Sequence, residues 1–222
     1  MAAWKKRGAI VMRNGEAFPL VDCIILAVKP SDFSALEINI SPSTFVISVM
    51  AGVSIATIRK KLSVRSVARV MMNIAAEHGG GLAVWHAPKV STIERGIIRA
   101  ICVEAGRAQE VAREADVDRA TVILGSGPAF LLRAFADLTV AASSLSISRK
   151  DAVRMTLSAF AAAQLLSTKE SDPERLIARI ASKGGTTEAG LRVFDGAKTR
   201  ATWSNAVRAA YTRAAALRKS AQ

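Results

Sequence analysis

The chain has 222 residues, enough for one large domain or two small ones. Half of the residues are hydrophobic, yet no uninterrupted apolar run reaches the roughly 18 residues that a membrane helix needs, so we expect no membrane partner. The formal net charge of +13 is spread evenly, with 15 basic and 8 acidic residues in 1–113 and 16 and 10 in the rest. Nucleic-acid binding needs a basic patch or stripe, so we expect no nucleic-acid partner either.

The cysteine and histidine content is low. Cys23 and Cys102 both lie in apolar runs, which predicts two buried free thiols and a reducing cytoplasm. His78 and His86 fall short of a zinc-binding set, so we expect no metal site. The basic start of the chain lacks the apolar segment of a signal peptide, which also favours a cytoplasmic protein.

The first half alternates short apolar runs with helical patterns. Residues 21–28 form a nearly unbroken apolar run closed by Lys29 and Pro30, which is typical of a parallel strand buried on both faces. Further strands are predicted at 9–12, 45–49, 66–71 and 81–85. Helices are predicted at 54–62, capped by Ser54, and at 91–102, capped by Ser91 or Thr92. This alternation predicts an α/β fold with a mostly parallel, doubly wound sheet.

The second half contains helical patterns and no convincing strand. Helices are predicted at 128–145, 149–167, 173–180, 187–194 and 199–217. The third begins with Asp172 as the cap and Pro173 at the first helical position. The first two are apolar nearly all round, and such helices must be buried, so we expect them to form a dimer core.

The most informative stretch of this half contains two adjacent glycines, in the order Ser182-Lys183-Gly184-Gly185-Thr186-Thr187. The glycines remove side chains where the first backbone amides of the next helix would fan out. Such a helix start binds anions, because those amides have no internal acceptor and the helix dipole adds partial positive charge. The residues alone leave a second interpretation open, a plain turn with a threonine cap and no ligand.

This stretch resembles the Ser-Pro-Gly-Gly-Thr-Thr signature of the pyrroline-5-carboxylate reductase family, with Lys183 in place of proline. Four further segments agree with the family in the same order, and the resemblance covers residues 11–217 or so. They are Ile25-Leu26-Ala27-Val28-Lys29-Pro30, Ala51-Gly52-Val53-Ser54-Ile55, Arg69-Val70-Met71-Met72-Asn73 and Gly125-Ser126-Gly127-Pro128-Ala129-Phe130. The resemblance implies an incomplete Rossmann-type domain at 1–112, an all-helical dimerisation and substrate-binding domain at 113–222, and a homodimer or higher homo-oligomer.

The resemblance also implies a reaction, the reduction of the C=N bond of 1-pyrroline-5-carboxylate to L-proline by NADPH or NADH. The matching positions for the substrate are Ser182, Gly185, Thr186, Thr187, Glu170 and Glu114. The backbone amides of Gly185 and Thr186 would hold the carboxylate, and the hydroxyl of Thr187, the catalytic candidate, would face the ring nitrogen. For Glu170 and Glu114 a solvated carboxylate at a helix end is the equally weighted alternative.

The cofactor positions implied by the resemblance lie mainly at strand ends, where ligands of open α/β sheets bind. They are Ala27, Val28, Lys29 and Pro30 along the ribose and nicotinamide, Ala51 and Gly52 beside the ring, Asn14, Asn73 and Arg179. Arg179 replaces a common polar residue of the family. Small residues at 51 and 52 would let the ring approach the backbone.

A dinucleotide-binding domain normally begins with a strand, a Gly-x-Gly-x-x-Gly loop and a helix, and these 222 residues contain no such motif. In the resembled family that element precedes the segment with which this chain starts. We therefore expect the first strand, the phosphate loop and the second strand to be absent, and NADPH to bind the 222-residue chain weakly, if at all. Two alternatives stay open: a non-catalytic dimerising remnant of the family, and a reductase for a related imine or hydroxyacid.

Overall fold

The computed structural model describes residues 21–220. The predicted strand at 9–12 and the candidate residue Asn14 lie outside this range. The chain consists of two compact units, a sheet unit of residues 21–126 and 210–220 and a helical unit of residues 127–209. The predicted domain boundary at 112/113 stays a prediction.

The sheet unit contains five strands, ordered β1-β2-β3-β4-β5 across the sheet. They are β1 (Cys23–Leu26), β2 (Phe45–Ser48), β3 (Val67–Met72), β4 (Gly81–His86) and β5 (Gly106–Glu110). Neighbours run parallel except β3 and β4, which are antiparallel. A mostly parallel α/β sheet is confirmed.

Both faces of the sheet are covered, as the apolar runs predict. Alternate residues of β2 point to opposite faces, so Val46 lies in one apolar cluster and Phe45 and Ile47 in the other. The first cluster includes Ile58 of helix α1 (Ile55–Leu62), and the second includes Ile98 of helix α2 (Thr92–Glu104). The side chains of these five residues are at most 2% exposed.

Both predicted helix starts of this unit are confirmed. The Ser54 hydroxyl accepts a hydrogen bond from the Thr57 amide at 3.1 Å. Ser91 rather than Thr92 caps α2, in a reciprocal capping box with Glu94. Each contact satisfies an amide that would otherwise have no acceptor at the helix start.

Strand β5 is an element that the sequence patterns miss. Its residues, Gly-Arg-Ala-Gln-Glu, show no apolar run, and it becomes a strand only by pairing with β4 at the edge of the sheet. Gly106 has a φ of +129°, and a Cβ there would collide with the Gly81 carbonyl. Tertiary pairing and this close backbone contact therefore determine β5.

The helix that leads into the helical unit begins at an earlier residue than predicted. The chain is helical from Glu114 as α3 (Glu114–Ala120), continues as a π turn (Thr121–Ser126) and then as α4 (Gly127–Ser143). Pro128 therefore lies inside helical structure, where its ring would clash with the carbonyl four residues earlier in a regular α-helix. The wider π turn ending at Ser126 relieves that clash.

The helical unit contains α4, α5 (Arg149–Ser167), α6 (Pro173–Ile180), α7 (Thr186–Gly196) and the first part of α8 (Thr199–Ser220). Helices α4 and α5 pack through small side chains, since Thr139, Ala152 and Thr156 are at most 8% exposed. Phe135 and Phe160 meet edge to face, with ring centroids 5.7 Å apart.

Within the single chain these two helices are not buried, and their burial in a dimer core stays a prediction. Their large apolar side chains point outward, with exposures from 38% to 72%. They include Leu131, Leu132, Leu138, Val140, Val153, Met155, Leu157 and Leu165. By length and composition alone, Glu114–Ser143 could cross a membrane, and little of it is buried; our expectation of no membrane partner stays a prediction.

Candidate functional site

The glycine stretch of the helical unit forms a tight loop that leads into α7. Gly184 has a φ of +74°, a conformation that favours glycine. A Cβ on Gly185 would lie 2.5 Å from the Ser182 hydroxyl, so the loop packs its serine directly against a bare backbone. The residue that caps α7 is Gly185, and no side chain makes the cap hydrogen bond. The alternative of a threonine cap is therefore wrong for this helix.

The amides of the loop differ in their availability. The Gly185 amide donates to the Ser182 carbonyl at 3.0 Å, and the Gly184 amide donates to the Glu188 carboxylate at 2.6 Å. The Thr186 and Thr187 amides have no acceptor among the described residues. Of the two amides predicted to bind a carboxylate, Thr186 is free and Gly185 is engaged within the loop.

Two other candidates of the helical unit lie at the ends of α6. Glu170 is half-buried, and its carboxylate accepts a hydrogen bond from the Asp172 amide at 3.0 Å, just before the helix begins. Arg179 is exposed in the last turn. Glu170 therefore already stabilises the loop before α6, and the predicted contacts of Glu170 with substrate and of Arg179 with cofactor stay predictions.

The cofactor candidates of the sheet unit gather at the carboxyl ends of β1 and β2. After β1, Ala27 and Lys29 are exposed, while Val28 packs against the first apolar cluster. Pro30 opens a short 3-10 helix, Pro30–Asp32. Ala27, a small residue, and Lys29, a cation, are thus exposed to solvent at this end of the sheet. Both fit the binding of the anionic dinucleotide that the resemblance implies.

The residues after β2 are less accessible than those after β1. Ala51 is half-buried, but Gly52, with a φ of +75°, is buried against α8. A Cβ on Gly52 would lie 3.4 Å from the backbone nitrogen of Arg218. A cavity of about 250 Å³ lies beside Gly52, lined also by Asp118, Tyr211 and Arg218. The residues after β1 therefore fit a cofactor, whereas α8 of the same chain covers the backbone of Gly52.

Asn73 follows β3 and has an inward-facing side chain. Its Oδ1 is buried without a hydrogen-bond partner among the described residues. The same oxygen lies 2.8 Å from the position that a Cβ on Gly81 would occupy. The side chain is therefore directed at the start of β4, and its predicted contact with the cofactor stays a prediction.

Glu114 belongs to a buried ion cluster that sequence reasoning missed. Its Oε1 accepts hydrogen bonds from Arg69 at 2.9 Å and from the Ile55 amide at 2.8 Å. Arg69, 1% exposed, also donates to Asp118 at 2.7 Å, and Arg218 donates to the other oxygen of Asp118 at 2.7 Å. A charged residue inside an apolar strand must have a partner, so Arg69 was the one sequence feature that could have indicated the cluster.

Comparisons with known proteins agree on one family. The family model described as "Pyrroline-5-carboxylate reductase dimerisation" matches residues 114–217. The pyrroline-5-carboxylate reductase of Pseudomonas aeruginosa is 32% identical over 215 residues, which are 94% of this chain and 79% of the relative.

Two solved structures are similar over the whole fold. The Plasmodium falciparum pyrroline carboxylate reductase with NADP bound has a TM-score of 0.80 and 25% identity, covering 89% of this chain and 77% of that one. The Streptococcus pyogenes 1-pyrroline-5-carboxylate reductase has a TM-score of 0.81 and 26% identity, covering 88% and 76%. The Gly-Gly-Thr-Thr loop at the start of α7 and the parallel strands β1 and β2 agree with this result. These similarities show that the chain belongs to the pyrroline-5-carboxylate reductase family.

Proposed function

We propose that this chain is an NAD(P)H-dependent oxidoreductase that reduces the C=N bond of 1-pyrroline-5-carboxylate to L-proline, a step of amino-acid biosynthesis. The single observation that carries the proposal is the loop before α7, where glycines and two free helix-start amides form an anion site of the kind that a substrate carboxylate needs. The names of the relatives support the same reaction.

In the helical unit, the Thr186 amide binds the substrate carboxylate, and the Gly185 amide joins it when its bond to Ser182 opens. The Ser182 hydroxyl packs against Gly185, where a side chain would not fit. The Thr187 hydroxyl is half-buried and makes no hydrogen bond with the described residues, which leaves it available to the ring nitrogen. Glu170, from its position before α6, contributes negative charge near the substrate.

In the sheet unit, the residues after β1 hold the cofactor. Ala27 and Pro30 have small side chains that leave space for its ribose, and Lys29 attracts its negative charge. Val28 anchors the turn by packing against the first apolar cluster. Ala51, Gly52 and Asn73 lie at the next strand ends. The contact of Arg179 with the cofactor, which the resemblance implies, stays a prediction. NADPH or NADH, when bound, supplies the hydride that reduces the imine carbon.

We also propose that the protein works as a homodimer through α4 and α5. These helices expose eight large apolar side chains in the single chain, and extensive apolar surface of this kind marks an interaction site. The family model matched to this region is named for dimerisation. A second copy covers the apolar surface, and no membrane is needed to do so. The free thiols Cys23 and Cys102 support a cytoplasmic location.

The test is a coupled measurement on the purified 222-residue chain. Oxidation of NADPH, followed by its absorbance, is recorded with and without 1-pyrroline-5-carboxylate, and proline is identified as the product. Stoichiometric proline formation supports the proposal. Folded, dimeric protein that forms no proline at any cofactor concentration would overturn it and favour the remnant interpretation.

A further inference from the structure

Four charged side chains of the sheet unit form a cluster that the proposed reaction leaves unused. Arg69 on β3 binds the carboxylates of Glu114 and Asp118, both on α3, and Asp118 also binds Arg218 on α8. Two cations thus face two anions, and the central guanidinium is 1% exposed. Such a cluster fixes its central members in one arrangement, because displacing Glu114 or Asp118 takes a carboxylate away from the buried Arg69 guanidinium.

The cluster holds the turn at residues 51–54, which follows β2, on both of its sides. On one side, Glu114 accepts a hydrogen bond from the Ile55 amide, the first of α1. On the other side, Gly52 packs against the backbone of α8 at Arg218, and that helix is fixed by the bond from Arg218 to Asp118. Every contact lies within the sheet unit.

We propose that Arg69 is a positioning residue for the cofactor, which it serves by fixing the 51–54 turn through Glu114 and through the Asp118–Arg218 pair. The inference rests on the proposed function, since that turn lies at the sheet edge where the cofactor binds. Glu114 acts through Arg69 and the Ile55 amide and does not contact the substrate. Arg218 acts as the outer end of the same chain of ion pairs.

The chemistry of arginine explains the choice of residue. Its planar guanidinium donates to two carboxylates at once, whereas a lysine ammonium is a point charge on a flexible chain. Arg69→Lys therefore keeps the charge and loses one of the two directed contacts. Arg218, 44% exposed at the outer end, can be changed without burying an unpaired charge at the centre.

The experiment compares Arg69→Lys and Arg218→Gln with wild type in the full chain. Arg213→Gln is the matched control, because Arg213 is an exposed arginine of α8 that makes no ion pair with the described residues. Hydrogen exchange is measured for the amides of residues 52–57, with those of β4 and β5 as an internal reference. NADPH affinity is measured by isothermal titration calorimetry, with NADPH titrated to millimolar concentration.

We expect exchange at 52–57 to become at least tenfold faster in both variants while β4 and β5 are unchanged. The Kd for NADPH should rise at least fivefold in both, and the control should match wild type. Unchanged exchange, or faster exchange with an unchanged Kd, would overturn the positioning role, as would a wild-type chain that binds no NADPH. The exchange rates and Kd values relative to wild type do not depend on imine reduction. A wild type that binds NADPH and makes no proline would therefore refute the proposed function and leave the positioning role of Arg69 intact.

Discussion

Replacing Thr187 with alanine separates catalysis from helix capping. In the structure α7 is capped by Gly185, and the Thr187 hydroxyl makes no hydrogen bond with the described residues. Removing it therefore breaks no internal contact. Alanine is also the better helix former, by about 0.5 kcal/mol. We expect the free energy of unfolding to stay level or rise slightly, with a melting temperature within about 2 °C of wild type.

The effect on activity should be much larger. A neutral hydrogen bond contributes about 0.5–1.5 kcal/mol, and one that strengthens in the transition state contributes more. Thr187→Ala should therefore lower kcat/KM for 1-pyrroline-5-carboxylate by roughly tenfold or more, at 1.4 kcal/mol per decade. The Kd for NADPH should barely change, because the proposed contact is with the substrate.

The assay is NADPH oxidation with varied imine, with thermal unfolding of the same preparations. Thr187→Ser keeps a hydroxyl on the same backbone position and should retain most of the activity. An alanine variant that loses stability while keeping wild-type kcat/KM would refute the reasoning, since it would show that the hydroxyl holds the helix rather than the substrate.

Three further predictions concern stability and assembly. Gly106→Ala should prevent stable folding, because its Cβ would collide with the Gly81 carbonyl, whereas Gly96→Ala on α2, with nothing within 4 Å, should raise stability by up to about 1 kcal/mol. Burial raises the pKa of the Cys102 thiol from 9.0 to about 11, so the folded chain holds the thiol proton more tightly than the unfolded chain does. This contribution to the free energy of unfolding is fully present below pH 9 and is lost as pH rises through about 11. The melting temperature should therefore fall more steeply across this range in wild type than in Cys102→Ala. Wild type should sediment as a dimer at micromolar concentration, and Leu132→Glu on α4 should weaken the dimer, while a stable, folded wild-type monomer would contradict the proposed interface.

Much of the fold could be predicted because local patterns and tertiary packing agree. The apolar run ending at Lys29 became β1, and Ser54 and Ser91 cap the helices where their spacing predicts. β5 could not be predicted, since its polar residues form a strand only beside β4. The apolar character of α4 and α5 was predicted, but periodicity shows only how apolar a helix is, and not which molecule covers it.

The site was predictable to a similar degree. The glycine loop and the residues after β1 could be recognised because each is contiguous in sequence. The ion cluster could not, since Arg69 meets partners 45 and 49 residues further along the chain, and Asp118 meets Arg218 across 100 residues. Glu114 shows the consequence: its sequence position indicated a substrate contact, while the fold gives it Arg69 and the Ile55 amide.

The single antiparallel pair of the sheet bears on how the chain folds. β3 and β4 are joined by residues 73–80 alone, so they can meet by closing one short loop, whereas each parallel pair must wait for a longer crossover. Hairpins form in about 1–10 μs, well before contacts of large sequence separation become established. The β3–β4 hairpin carries Arg69 on its first strand. The earliest structured part of the newly made chain would therefore present an unpaired guanidinium. Its carboxylate partners arrive with α3, and Arg218 of α8 joins the cluster last, through Asp118.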